Sequence, residues 1–342
     1  HPAGPARSHG AAVTIDQTDP NRLQGDAVAA GGTVRLFHWT WLGSLLLGST
    51  LVGLTAGRYD LATWQIVTIL FNALHGAAQD SVEALVVLNV RLPRILLAGA
   101  TGAGLAICGV ALQSLFRNPL VSPKVLGLSS GSALGGALAI LMGLSGVLLM
   151  GATFVSAFGA LFLVVLISNI AGRSLMTIVL AGIVIDALFA AWVSLVQYAA
   201  DPETSLPAIV FWLMGSFAAA SWDKLAQVAP ALVIGILLLN RLRFRIAVLA
   251  MGDDEAQSFG INVPHSRMVV FMLISVVIGA CVTVSGVVGW VGLVIPHIAR
   301  MLVGEDQRYF LPASMAAGAA VMCAAHAVSL MIKPGLAIPI GI

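Results

Sequence analysis

The chain has 342 residues, 59% of them hydrophobic and only 9% charged, where an ordinary soluble domain carries about 25% charge; a soluble protein is excluded and an integral membrane protein is expected. A net charge of +2 leaves no electrostatic footprint for nucleic acid, so none is expected as a partner. Cys108, Cys281 and Cys323 lie apart inside apolar segments with no C-x-x-C pair and read as small buried hydrophobes rather than metal or disulfide ligands.

Residues 1–33 are rich in Ala, Gly, Pro, Asp and Arg, lack the apolar core of a signal peptide and read as a disordered tail. Residues 34–342 read as one all-α transmembrane domain. Apolar segments able to cross about 30 Å of hydrocarbon are expected near 36–56, 92–115, 124–143, 147–170, 174–198, 225–240, 268–288, 290–303 and 310–332. A tenth opens at Ala337 and is cut off at Ile342, and with His1 at the start the sequence reads as a processed or truncated gene product. Leu206 to Phe217 is apolar but short, which favours an interfacial or re-entrant helix. With a cytoplasmic N-terminus, twelve of the 17 Lys and Arg fall on the cytoplasmic side, leaving Arg58, Arg91, Arg94, Lys224 and Lys333 outside; this satisfies the positive-inside rule. Asp201 and Glu203 are then external. The small-residue runs 98–104 and 131–136 suit close helix packing in lipid.

The longest internal hydrophilic stretch, NRLRFRIAVLAMGDDEAQSFGINVPHSR, is expected to form two short surface helices. The second starts near Gly252-Asp253, with acids opposing the helix dipole, and stops at Gly260. Ile246, Val248, Leu249, Met251, Phe259 and Ile261 are too apolar for a loop that touches nothing, so the stretch reads as a docking surface for a cytoplasmic partner. Asp186, about twelve residues into the segment from 174, is a functional candidate by its place in the membrane. It either shapes a channel for a cationic or polar cargo or sits neutral against a neighbouring helix. No G-x-x-x-x-G-K-[ST] occurs anywhere, so ATP is not bound here through a P-loop. A proton-coupled secondary transporter using Asp186 and His326 stays open as an alternative of another class. An intramembrane metalloenzyme using His297 and His326 fails on ligand count.

Six motifs in chain order carry a family resemblance: Arg91-Leu92-Pro93-Arg94; Gln113 with Arg117-Asn118-Pro119-Leu120 and Pro123; Leu126-Gly127 with Ser130-Gly131; Phe211-Trp212-Leu213-Met214-Gly215-Ser216; Leu249-Ala250-Met251-Gly252 through Gly260; and Gly289 to Arg300. From about Trp39 onward the chain resembles the FecCD family, permease subunits of type II ABC importers for iron-siderophores, haem and cobalamin. The resemblance implies a cobalamin-permease-like fold of about ten transmembrane helices in the bacterial inner membrane. It also implies pairing with a second permease copy or close homologue, two ABC ATPase subunits that hold ATP and Mg, and a periplasmic substrate-binding protein. The chain itself would bind no cofactor and catalyse no reaction.

By the same resemblance, Leu249, Met251, Gly252, Asp253, Asp254, Glu255, Phe259 and Gly260, within coupling helices at about 245–262, would engage the ATPase. Arg91 and Arg94 would dock carboxylates of the binding protein, a geometry that suits a guanidinium at an external rim. Asp186, Gln197, Trp212, Met214, Gly215 and Ser216 would line the translocation pathway or gate. The chain departs from the family at His326, Leu330 and Ala337, where an Asp, an Arg and a Glu are usual; Lys333 would replace the missing cation. The segment Phe211 to Phe217 looks closer to siderophore members, so a ferric siderophore is the expected cargo, with haem, cobalamin and molybdate as alternatives.

Overall fold

The computed structural model describes residues 20–76, 81–172, 174–332 and 338–341, with side chains from residue 38 onward. The expectations attached to Lys333 and Ala337 lie outside the described residues. The described part is all-α. Helix α1 spans Pro20–Thr55, so the helix begins well inside the stretch expected to be a structureless tail. Leu23, Ala27, Val28, Ala29 and Ala30 do not oppose helix and let the backbone of the first span continue backwards.

Helix α2, Thr63–Leu74, buries Ile66 and Ile69 and was not foreseen, because twelve residues are too few to cross a bilayer. Next come α3, Val82–Leu85, a π-helical stretch, Val86–Arg91, and α4, Leu92–Phe116. The three run as one 35-residue segment, Val82–Phe116. Ser81 starts it, its hydroxyl accepting a bond from the Ala84 amide at 3.2 Å. Pro93 explains the π turn: a proline inside a helix removes one amide donor and clashes with the carbonyl four residues back, and a widened turn relieves both. Asn89, Arg91, Pro93 and Arg94 look like the polar end of a span in one dimension, which is why the helix was expected to begin only at 92.

Arg117, with φ of 50°, closes α4 in the left-handed conformation. A 3-10 turn, Pro123–Leu126, leads to α5, Leu128–Leu141, and then α6, Gly146–Ile170, and α7, Leu175–Ala199. The short helix expected after Asp201 is α8, Ser205–Leu213. The rest are α9, Trp222–Arg241; α10, Arg243–Met251; α11, Asp253–Ser258; α12, Val263–Ser285; α13, Val291–Val303; and α14, Gln307–Ile332. Among the described residues six helical segments are long and apolar enough to cross a membrane, and α2, α5 and α13 are shorter apolar helices.

Helix α4 is the axis. Its most apolar window is 78% buried within the chain, against 22% for α7 and for α9, so α4 is wrapped by protein while α7 and α9 present apolar faces outward. Neighbours α9, α12, α13 and α14 pack around it. Two backbone-to-backbone crossings set its position. A Cβ on Gly102 would run into the Gly318 carbonyl of α14, and one on Gly109 into the Gly292 carbonyl of α13; only glycine permits helices to approach this closely.

Candidate coupling surface and translocation cavity

At the end of the molecule marked by Arg117, α10 and α11 form a compact two-helix element. Ile246 and Leu249 are fully buried and Val248 nearly so, which anchors α10 on the core. Leu249 was expected on the docking surface, but it belongs to the anchor. Asp253, at the start of α11, accepts two hydrogen bonds from Arg267 of α12, at 3.0 and 2.5 Å, and one from Arg117 at 3.2 Å. It therefore latches α11 to α12 and to the C-terminal cap of α4 while staying partly exposed. Gly252 is buried, has a φ of 156°, and lies under the Glu255 carboxylate. What the element presents to solvent is Phe244, Met251 and Phe259, each more than half exposed, with Asp254, Glu255 and Gly260 beside them.

At the opposite end, Arg91 does not reach the rim. It is 6% exposed, and its guanidinium donates to the carbonyls of Leu54 and Thr55 at 2.5 and 2.9 Å and to that of Tyr59. The last carbonyls of a helix have no partner within it and attract a cation, and Arg91 fills that role for α1. The docking role expected of it is corrected accordingly. Arg94 is half-buried and donates to the Ala218 carbonyl at 2.7 Å. Together with Arg58 and His326, these two arginines line a cavity of about 360 Å³. His326 is 2% exposed and packs edge-on against Phe217, the ring centroids 5.7 Å apart.

Asp201 stands just before α8. It accepts bonds from the Glu203 amide at 3.0 Å and from the amide and hydroxyl of Thr204, both at 2.8 Å. The Thr204 bonds, followed by the Glu203 bond, hold its carboxyl below the usual carboxylate range.

Three irregular segments meet beyond α8. The amides of Ile340 and Gly341 donate to the carbonyls of Gly215 and Met214 at 2.9 and 3.0 Å, and the Trp290 indole donates to the Ile340 carbonyl at 3.1 Å. Gly215 and Gly286 both have positive φ and touch backbone to backbone. Met214 and Gly215 are thus members of a main-chain seam, and the Ser216 hydroxyl accepts from the Ala218 amide at 3.1 Å within its own turn. The Trp212 ring covers Gly136 of α5. Gln197 is half-buried near the end of α7.

Next to this seam lies a cavity of about 680 Å³, lined among others by Ser122, Lys124, Ser129, Asp186, Trp290 and Gly341. Asp186 faces this cavity, and its Oδ1 is buried with no hydrogen-bond partner among the described residues. His326 lines the other cavity, so the two residues of the proton-coupled alternative are not brought together. Lys124, Ser122 and Ser129 are not marked as cavity residues by the sequence, since in one dimension they belong to an inner turn and a helix start. A cation three residues before Gly127, in a segment otherwise apolar, was the available signal. Nothing in the spacing of Arg267 along the sequence reveals Asp253 as its partner.

Comparison with known proteins agrees with this architecture. A family model, the FecCD transport family, matches residues 45–342. The molybdate import system permease of Haemophilus influenzae is 44% identical over 81% of this chain and 83% of its own length. The hemin transport system permease of Yersinia pestis is 35% identical over 87% and 91%. A solved ABC transporter described as of metal-chelate type, in an inward-facing conformation, superposes with a TM-score of 0.78 at 39% identity, covering 88% of this chain and 92% of that one. With α4 as its axis, the latched α10–α11 element at one end and the polar cavity beside α7, the chain belongs to the FecCD transport family of membrane-spanning ABC permeases.

Proposed function

We propose that residues 34–342 form the permease domain of an ATP-driven, binding-protein-dependent importer, and that its cargo is a compact oxyanion of the molybdate class. The carrying observation is the α10–α11 element: anchored by Ile246 and Leu249, latched by Asp253, and presenting Met251 and Phe259 to solvent. A rigid apolar ridge of this kind suits transmission of force from a docked ATPase, with Asp254 and Glu255 as its charged rim. The Arg117 end is then cytoplasmic, as is the N-terminus, in accord with the excess of Lys and Arg on that side. The binding protein would dock at the other end, where Arg94 and Arg58 remain near the surface. A second permease copy, identical or closely related, would cover part of α7, little of which is buried within the chain. ATP and Mg belong to the ATPase subunits, and alternating access at the seam of Met214, Gly215 and Gly286 would move cargo past Asp186.

For the cargo, the 44% identity to a molybdate permease stands above the 35% to a hemin permease, and Lys124 with two serine hydroxyls suits an anion. A ferric siderophore is the second reading, favoured by the sequence Phe211 to Phe217. Reconstitution of the permease with its ATPase and binding protein in proteoliposomes tests both. Molybdate uptake that requires ATP and the binding protein is expected; uptake driven by a proton gradient without ATP sinks the importer reading. Uptake confined to a ferric chelate sinks only the cargo assignment.

A further inference from the structure

The turn that carries Lys124 is fixed to α7 at the level of Asp186. A Cβ on Gly182 would overlap the Val125 carbonyl, and one on Gly127 would stand 3.4 Å from the Asp186 amide. Gly182 and Asp186, four residues apart, share one face of α7, so the 3-10 turn packs on the α7 backbone that carries Asp186. Both side chains line the same cavity, with Ser122 and Ser129. Among the described residues Lys124 forms no ion pair, and Asp186 Oδ1 is buried without a donor. A buried carboxylate oxygen without a donor is costly. Lys124 is the cation lining this cavity, and its flexible four-carbon stem lets the ammonium change partners.

We infer that Lys124 holds an oxyanion cargo transiently in this cavity, with Ser122 and Ser129 as added donors, and that Asp186 is the competing counter-ion that recovers Lys124 and ejects the anion. This rests on the oxyanion reading of the cargo. Three donors alone would make a site that retains its ligand, whereas a carboxylate facing the same ammonium repels the anion and offers Lys124 an alternative partner. The pair thus makes the cavity a place of passage.

The test uses the whole importer, permease pair with ATPase and binding protein, in proteoliposomes, read by radiolabelled molybdate uptake and by equilibrium molybdate retention on the complex. K124Q lowers uptake by about tenfold, and K124R, which keeps the charge, restores a good part of it. D186N raises retention by about fivefold while slowing uptake, and in the K124Q background that gain disappears, because the coupling of two groups that act on one bound anion vanishes when one is absent. Assembly of each variant is checked by size-exclusion chromatography. Wild-type importer that moves a ferric chelate but no molybdate overturns the cargo reading and this inference with it. Wild-type molybdate uptake that K124Q retains, or a D186N effect that persists in K124Q, overturns the inference alone.

Discussion

Removing the Asp253 carboxylate should release α11 from α12 and from the end of α4. In Asp253→Ala the Arg267 guanidinium, only 11% exposed, loses both of its bonds at 3.0 and 2.5 Å, and Arg117, 43% exposed, loses one at 3.2 Å. Hydrogen bonds to charged groups contribute about 1.5–3 kcal/mol, and the lower half of that range applies because Asp253 is itself 43% exposed. The exposed Arg117 pair adds about 0.2–1 kcal/mol. The sum of about 2–3 kcal/mol shifts the balance between docked and released α11 by roughly 30- to 150-fold. Hydrogen exchange of the amides of 246–260, on the permease held in lipid nanodiscs, reads that shift directly. In the reconstituted importer the same variant should hydrolyse more ATP per cargo moved. Arg117→Ala removes only the exposed contact and should loosen the element by no more than about fivefold. Unchanged protection in Asp253→Ala, or an equal effect of Arg117→Ala, would refute the latch.

Gly109→Ala forces a methyl group into the Gly292 carbonyl and should destabilise by about 1–3 kcal/mol, seen as a lower thermal midpoint. Gly159→Ala, with open space at its Cβ, should be silent. Arg91→Ala strands the carbonyls of Leu54, Thr55 and Tyr59, at about 1–3 kcal/mol for each buried group left unpaired. Its first effect should therefore be on thermal stability, and a variant that only weakens binding-protein affinity would contradict the capping role. The Asp201 carboxyl is held below its ordinary value of 3.8, so its contribution is present above that pH and is lost as pH falls through the lower folded value. Protection of the Glu203 and Thr204 amides, taken relative to their intrinsic exchange, should fall on acidification below about pH 3.8 in wild type, while Asp201→Asn shows no such pH dependence.

Most of the helices were legible because long apolar runs have one solution in lipid: every backbone group must be paired within the segment. The short helices α10 and α11 were legible for a second reason, since Gly252 and Gly260 bracket a short acidic helix and punctuate it as plainly as any turn. The helix preceding Pro93 was not, because the π turn that rescues it leaves no mark in composition. Nor was the role of Arg91, whose partners lie 32 to 37 residues away, at the end of α1 and in the turn after it.

By itself, the sequence determined that the chain lies in a membrane, where its long spans fall, and the family to which it belongs, because hydropathy and motif order are one-dimensional quantities. Only the tertiary structure decided that Arg91 caps a helix, that Asp253 is a latch, that Asp186 and His326 face different cavities, and that Lys124 shares a cavity with Asp186. Each of these depends on which polar atoms are brought together once the small residues of α4, α13 and α14 let the helices close. That pairing is fixed by packing across distances that spacing along the chain does not encode.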